Sequence, residues 1–261
     1  MDIRTLTPTI CRLMQVEPPQ FSITQVQENL LSAIKRDGID RIEKCLIFAP
    51  DAIGKTIHEK YPDYFSVINR IINHTEFLQS IYPPKTPVCF ASMFSGTLPK
   101  KHGIQAYARP VLKIDTIFDA LLRSNKKVAI VAVQNSSIDL IFRNRKIDYY
   151  SEIYDNEVIE KALSILSQYD FIVVYNQEYD DCLHKTEPYS KQCLNALAHH
   201  NQAYIKLVQK IRSVWKASNW LAVYGPDHGA HYDETKGIGN HGENIPEDMD
   251  LLHHYTYSPV Q

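Results

Sequence analysis

Short apolar runs alternate with segments of helical periodicity along this chain of 261 residues, and this alternation restricts the possible folds more than any other feature. The apolar runs are rich in β-branched and aromatic residues and predict buried strands at 44–50, 127–133, 170–175 and 220–224. Helical patterns cover 24–37, 63–82, 114–124, 156–168 and 190–217. The alternation predicts an α/β fold with a doubly wound, mostly parallel central sheet and helices on both faces.

No internal repeat, low-complexity tract or linker divides the sequence, so we expect one domain over residues 1–261. The 28 basic and 30 acidic residues nearly balance, which argues against a protein that grips nucleic acid or an anionic membrane through a basic face. No apolar run approaches the length of a membrane span. Composition and charge therefore indicate an ordinary globular protein and say nothing of its chemistry.

The cysteine pattern and the N-terminus both bear on the compartment. The five cysteines are an odd number and contain no C-x-x-C pair, so neither a disulfide framework nor a zinc ribbon is indicated. The first residues lack the basic segment and apolar run of a secretory signal. We therefore expect a cytoplasmic protein with reduced thiols.

Acidic and histidine side chains follow the predicted strands at their carboxyl ends, where parallel sheets collect their ligand-binding residues. Each alone has a structural explanation, since an aspartate after a strand is usually a helix N-cap and a lone histidine is usually structural. Their convergence on one sheet edge is the informative feature. Oxygen and nitrogen ligands without a thiolate suit two divalent ions of the zinc, manganese or magnesium type. The residues concerned are Asp51, Asp180, His184, Asp227, His228 and His241.

A candidate nucleophile lies in a separate segment. Thr86-Pro87 is typical of a helix start, with threonine at the N-cap and proline at the first helical position, and this alone accounts for both residues. A hydroxyl at a helix N-terminus also lies at the positive end of the helix dipole, where phosphate binds readily. With a metal ion beside it, the Thr86 hydroxyl would be an activated nucleophile.

Four segments, in order between residues 46 and 249, resemble the alkaline phosphatase superfamily, whose members include phosphatases, phosphodiesterases, phosphomutases and sulfatases. The first is the strand that ends at Asp51. The second runs from Thr86 to Pro99-Lys-Lys-His102-Gly-Ile104 and resembles the nucleophile helix. The third is Tyr179-Asp180-Asp-Cys-Leu-His184. The fourth is a closing signature formed by Pro226-Asp227-His228-Gly229, Asn240-His241-Gly242 and Pro246-Glu-Asp-Met249.

The resemblance implies an alkaline phosphatase-like fold and a site with two divalent ions, of which zinc is expected and manganese or magnesium are alternatives. It implies that Thr86 attacks phosphorus in a small phosphorylated substrate, forming a phosphothreonine that water then hydrolyses. His102 matches a position that is usually structural. By this resemblance one ion would be held by Asp51, Asp227, His228 and the Thr86 hydroxyl, and the other by Asp180, His184 and His241.

Three departures from the family pattern bear on substrate class. Sulfatases carry Cys-x-Pro-x-Arg at the nucleophile, whereas Thr86 has no arginine four residues on, so a phosphatase or phosphodiesterase is expected. Tyr107 stands where the phosphodiesterases have a phosphate-binding asparagine, which makes it a candidate substrate contact, and Pro87 has no N–H to offer phosphate. The alternative is a catalytically weak or inactive metal-binding member that binds a phosphorylated ligand.

Three other segments suggest further hypotheses. Residues 2–19 resemble a segment that relatives carry near their C-terminus, which predicts a permuted order with 2–20 packed beside the chain after Met249. Gly237-Ile-Gly239-Asn-His-Gly242 matches the dinucleotide fingerprint G-x-G-x-x-G, but no predicted strand leads into it and no helix clearly follows. Residues 136–155, with the basic run 143–146, can face substrate or be a solvated surface.

Overall fold

The computed structural model describes residues 1–258. Over this range the strands are β1 Lys44–Pro50, β2 His74–Gln79, β3 Val128–Val133, β4 Asp148–Glu152, β5 Phe171–Asn176, β6 Trp220–Tyr224, β7 His231–Asp233, β8 Ile238–Asn240 and β9 Asp250–Tyr257. The α-helices are α1 Leu6–Met14, α2 Glu28–Arg36, α3 Lys55–Lys60, α4 Pro62–Asn69, α5 Thr86–Ser95, α6 Pro99–His102, α7 Ile117–Arg123, α8 Ser137–Ile141, α9 Asp155–Ile165, α10 Glu178–Leu183, α11 Lys191–Val214 and α12 Pro246–Met249.

The central sheet has seven strands in the order β2-β9-β6-β1-β5-β3-β4. The pairs β6–β1, β1–β5, β5–β3 and β3–β4 are parallel, and β9 is antiparallel to both of its neighbours. β7 and β8 form a separate hairpin. The four predicted strands are the parallel centre of this sheet, and the predicted fold class is confirmed.

Helices pack on both faces of the sheet because its central strands are apolar throughout. Along β1, Cys45, Ile47 and Ala49 contribute to one core cluster, with side chains from α1, α2, α5 and α7. Leu46 and Phe48 point the other way, into a second cluster with side chains from α3, α4, α9 and α11. Because successive strand residues alternate between faces, an uninterrupted apolar strand is satisfied only by covering both faces.

The predicted helix over 63–82 is wrong in its second half. α4 ends at Asn69, and β2 follows at the edge of the sheet, with Phe77 exposed and Leu78 buried. β2 is a short, half-exposed edge strand in which only Glu76 and Leu78 are buried, so it gives no apolar run that would mark it as a strand. β4 and β9 have no counterpart in the predicted strands either, since β4 is an edge strand and β9 carries polar residues.

The N-terminal segment is part of the main core. Asp2 forms a parallel bridge with Gln79, and Gln79 pairs in turn with Asp250 at the start of β9. Ile3 and Leu6 are fully buried in the cluster that also contains Leu251. The segment thus lies one strand away from β9. The permuted order and the single domain stay predictions.

Over the described residues, every helix is too short or too polar to cross a membrane. All five cysteines are free, and four of them are buried. The expected cytoplasmic location stays a prediction.

Candidate metal centre

Three adjacent strands of the parallel sheet end at one site. β1 lies between β5 and β6, so the segments that follow these strands meet. Asp51 follows β1 directly, α10 follows β5 and carries Asp180, and Asp227 and His228 lie just beyond β6. His241 follows β8 and comes from the hairpin side. The structure therefore brings the acids and histidines after the strands together, as the topology of a parallel sheet requires.

The first group consists of Asp51, Asp227 and His228, all buried. His228 Nε2 lies 3.3 Å from Asp51 Oδ1 and 3.4 Å from Asp227 Oδ2. The Thr86 hydroxyl lies 3.3 Å from His228 Nε2 and 3.4 Å from Asp51 Oδ2. His228 Nδ1 is 3.0 Å from the carbonyl oxygen of Gly229, which can only accept, so Nδ1 carries the proton and Nε2 turns its lone pair to the group.

The second group consists of Asp180, His184 and His241. Asp180 Oδ1 lies 3.4 Å from His184 Nε2 and 3.5 Å from His241 Nε2, and the two imidazole nitrogens are 3.1 Å apart. His241 Nδ1 donates to the carbonyl oxygen of Pro84 at 2.8 Å, which leaves Nε2 free as a ligand. The rings of His228 and His241 stack with centroids 4.0 Å apart, so the two groups adjoin.

The candidate nucleophile is the first residue of α5. The N-cap is Lys85, not Thr86 as predicted, because the Lys85 carbonyl accepts the amides of Val88 and Cys89 at 2.9 and 3.0 Å. Pro87 is tolerated in the first turn because amides there have no partner within the helix. The Thr86 side chain is thereby turned toward the metal-ligand groups, and the Lys85 ammonium donates to the carbonyl oxygen of His241.

Burial in the site disfavours the charged forms of its own aspartate and histidine side chains. Burial raises the pKa of Asp180 to about 8, and burial followed by repulsion from a neighbouring carboxylate raises the pKa values of Asp51 and Asp227 well above their usual range. Burial lowers the pKa of His228 to about 3 and holds the pKa of His241 well below its usual value. Three clustered carboxylates and neutral imidazoles together attract a cation.

The hydrogen bonding of the site also fits metal ions. Among residues 1–258, no hydrogen bond satisfies Asp51 Oδ1, Asp180 Oδ1 or either carboxylate oxygen of Asp227, and all four atoms are buried. Buried carboxylate oxygens are normally paired, so unpaired ones call for a ligand. The ligand atoms within each group lie within 4.8 Å of one another. Carboxylate oxygens with imidazole nitrogens are a donor set for Zn²⁺ or Mn²⁺.

Asp248 holds the loop that carries His241. Its Oδ2 accepts the amides of Gly242 and Glu243, both at 2.8 Å, and its Oδ1 lies 2.8 Å from His231 Nδ1. The side chain is fully buried. Sequence reasoning placed Asp248 in a family signature but gave it no role. Its position shows that it orients the ligand loop.

α10 is capped by side chains from other helices. The two carboxylate oxygens of Asp155 accept the amides of Gln177 and Glu178 at 3.0 and 2.9 Å. The amide of Tyr179 donates to His200 Nε2 at 3.2 Å. Burial raises the pKa of Asp155 to about 6 and lowers that of His200 to about 3. These contacts fix the short helix that carries Asp180, and no local sequence signal identifies them.

A small cavity of about 140 Å³ opens at Thr86. Its lining includes the candidate metal ligands Asp51 and Asp180, and also side chains that the sequence analysis did not identify. Tyr175 is buried there and donates its hydroxyl proton to Asp51 Oδ2. Tyr107 lies at the mouth, 61% exposed, with the Arg109 guanidinium 5.8 Å from its ring. Tyr107 and Arg109 thus lie together at the mouth, where Arg109 adds a positive charge.

Three other sequence features have structural explanations. Arg145 is largely buried and binds Asp119 at 2.9 Å, so this member of the basic run has a structural role. His102 binds Ser92 Oγ at 2.9 Å, in line with its expected structural role. Gly237 to Gly242 form the second half of the β7–β8 hairpin, with no helix opening from them, so the dinucleotide fingerprint is a chance match.

Comparison by sequence finds no protein-family model and no curated protein that matches this chain. Comparison of structures finds murine ectonucleotide pyrophosphatase/phosphodiesterase 5 with a TM-score of 0.58 and 15% identity, over 74% of this chain and 59% of the murine one. An inactive variant of that protein was solved in complex with AMP. Phosphonoacetate hydrolase from Sinorhizobium meliloti, with phosphonoformate, matches with a TM-score of 0.57 and 14% identity.

The match to the hydrolase covers 76% of this chain and 59% of that chain, so this chain spans less than two thirds of the length of either structural neighbour. At this identity the likeness concerns the fold. The chain has the alkaline phosphatase-like α/β fold that the sequence resemblance implies.

Proposed function

We propose that this protein is a metal-dependent hydrolase of phosphate esters, with Thr86 as the nucleophile and two divalent ions as cofactors. The observation that carries the proposal is the Thr86 hydroxyl, 3.3–3.4 Å from two members of one ligand group and beside a second group. The structural neighbours are named as a phosphodiesterase and a phosphonate hydrolase, and the recorded complexes contain AMP or phosphonoformate, which supports small phosphorylated substrates.

The proposed ligand sets follow the two groups. Asp51, Asp227 and His228, with the Thr86 hydroxyl, would hold one ion; the other would lie between the carboxylate of Asp180 and the imidazoles of His184 and His241. When bound, such ions lower the pKa of the attacking hydroxyl and neutralise negative charge on the phosphoryl group. Zinc suits the nitrogen-rich second group best, and manganese or magnesium are the alternatives.

The reaction then uses the geometry of α5. Thr86 Oγ1 forms a bond to phosphorus at the positive end of the helix dipole, and its proton passes to solvent through the cavity mouth. The ester bond breaks on the opposite side, and the leaving oxygen takes a proton from water. A water molecule then attacks the phosphothreonine, which restores the Thr86 hydroxyl and releases phosphate. The net reaction consumes one water for each ester.

Thr86→Ala should lower the rate of hydrolysis of p-nitrophenyl phosphate and bis-p-nitrophenyl phosphate by at least about 10³-fold. The metal-loaded variant should still bind phosphate. Thr86→Ser keeps the hydroxyl and should retain part of the rate. Mass spectrometry of acid-quenched protein should find a phosphoryl group on Thr86. Unchanged turnover in Thr86→Ala would contradict the assignment of the nucleophile.

A second candidate function is phospho-ligand binding without turnover. It is favoured by Pro87, which offers no amide at the second helical position, and by Tyr107 at the place of a phosphate-binding amide. Zinc- or manganese-loaded protein that binds phosphate but hydrolyses neither nitrophenyl ester would support this function over the enzyme.

A further inference from the structure

A second cavity, of about 520 Å³, adjoins the small cavity at Thr86. It lies between the turn that joins β4 to α9 and the helix α10. Gln177 and Asp181 line both cavities, so they form the boundary between them. A group attached to phosphorus at Thr86 therefore lies next to the larger cavity, with only these two side chains between them.

One wall of this larger cavity is apolar and exposed. Ile153 and Tyr154 are consecutive, with exposures of 58% and 69%, and Tyr154 is the most exposed large apolar side chain among residues 1–258. Val133 and Cys182 line the same cavity. Adjacent exposed apolar side chains beside polar groups are a feature of binding sites.

The Tyr154 ring is not needed to form the adjacent helix. Tyr154 is the N-cap residue of α9, and its side chain makes no capping hydrogen bond. Its backbone carbonyl accepts the amide of Val158 at 3.1 Å, and that bond is independent of the ring. The ring can therefore contact a ligand without loss of a hydrogen bond that caps the helix.

The same cavity is lined by more acidic than basic side chains. Asp155, Glu178 and Asp181 line it, together with the basic Lys185 and His199. Glu178 is 3.0 Å from His199, and Asp181 accepts the side-chain amide of Gln177 at 3.2 Å. A second phosphate or a carboxylate would meet three carboxylates here, whereas an uncharged or cationic group would not be repelled.

We infer that this cavity holds the leaving group of the substrate, and that this group is partly apolar and either neutral or cationic. The inference rests on the proposed function, since it takes phosphorus to be bound at Thr86. It favours esters of aromatic or alkyl alcohols over pyrophosphates, whose leaving group is anionic.

The test compares three phosphonates whose substituents differ: phenylphosphonate, methylphosphonate and phosphonoacetate. Calorimetric binding to the metal-loaded protein should favour phenylphosphonate over methylphosphonate by about five- to ten-fold, because only the phenyl ring offers an aromatic face to Tyr154. Phosphonoacetate, with its added carboxylate, should gain no affinity from the cavity. Tyr154→Ala should remove the phenyl preference and leave methylphosphonate binding within about two-fold.

Phe77→Ala is the matched control. Phe77 is also exposed, at 47%, but lies on β2, and β2 and β4 are the two opposite edges of the sheet. It should leave all three affinities unchanged. Steady-state hydrolysis of phenyl phosphate and methyl phosphate by the same variants should show the same selective loss, in KM more than in kcat.

The outcomes separate the two proposals. The cavity assignment is overturned if phenylphosphonate and methylphosphonate bind equally well, or if Tyr154→Ala weakens both equally. The proposed hydrolase activity is retained in that case if phosphate esters are still turned over. A phenyl preference that depends on Tyr154, without turnover of any ester, overturns the proposed hydrolase alone. No binding of any phosphonate to the metal-loaded protein overturns both.

Discussion

Two glycines allow the loops of the first ligand group to meet. Gly54 follows the Asp51 turn, and Gly229 follows Asp227-His228. A Cβ on Gly229 would lie 2.0 Å from the carbonyl oxygen of Glu247 and 2.9 Å from Gly54 Cα. Both obstacles are backbone atoms, so a side chain at this position displaces a whole loop. The residue after His228 is therefore restricted to glycine by contact alone.

Gly229→Ala should lower the free energy of unfolding by about 2–3 kcal/mol through this overlap, and should weaken metal binding because His228 is its neighbour. Urea unfolding and calorimetric titration with zinc measure the two effects. Gly103→Ala is the control: Gly103 has φ of +89° but nothing within 4 Å of a new Cβ, so only backbone strain of about 1 kcal/mol is expected, with unchanged metal affinity. Equal effects of both substitutions would contradict the close-approach explanation.

At the scale of elements, α10 depends on neighbours more than on its own sequence. It has six residues, too few to be stable alone, and its first amides are bound by Asp155 from α9 and His200 from α11. Asp180 and His184 are four residues apart in sequence, a spacing that one helical turn brings to the same side. The side chains that cap α10 come from positions distant in the sequence, so no local sequence pattern predicts them.

Asp155→Ala should lower the affinity for one of two bound metal ions and cost about 1–2 kcal/mol of stability, because the amides of Gln177 and Glu178 at the start of α10 lose their partner. Metal titration with urea unfolding measures both quantities. Thr116→Ala removes the capping box of α7, which contributes none of the candidate ligands, and should cost similar stability without a change in metal affinity. Metal affinity equal to wild type in Asp155→Ala would refute the proposed orienting role.

The strands that were predicted correctly are more deeply buried than the strand that was predicted as helix. Apart from Lys44 at the start of β1, all residues of β1, β3, β5 and β6 are buried, and their apolar runs locate them in the sequence. β2 is half exposed and follows α4 closely, so the predicted helix continued through it. An edge strand needs to bury one face only, which leaves a weak pattern that a neighbouring helix obscures.

For the whole molecule, the metal-ligand groups couple stability to pH. In metal-free protein, burial raises the pKa of Asp180 to about 8, above the value for an unfolded chain. A raised carboxyl pKa contributes stability below the unfolded pKa, and that contribution is lost as pH rises through about 8. Bound divalent ions oppose this loss, because they require the deprotonated ligands.

The increase in Tm on adding zinc or manganese should therefore grow between pH 6 and pH 8, measured by thermal unfolding with and without a chelator. At an ion concentration of about 100 times Kd, each site should add about 2.7 kcal/mol. The difference between loaded and chelated protein cancels the titration of groups outside the site. Asp180→Asn should reduce the increase in Tm and make it depend less on pH. Metal binding at this site is contradicted if the added ion does not raise Tm, or raises it by the same amount at pH 6 and pH 8.

The sequence by itself determined the α/β class, the central strands and the order in which candidate ligands follow them. These follow from apolar runs and from the rule that parallel strands end at one edge, both of which are readable along the chain. Tertiary structure alone decided which side chains support the ligands, such as Asp155 and Asp248, and that Ile153 and Tyr154 line a cavity next to Thr86. Such contacts join residues far apart in sequence, and their distances depend on how whole elements pack.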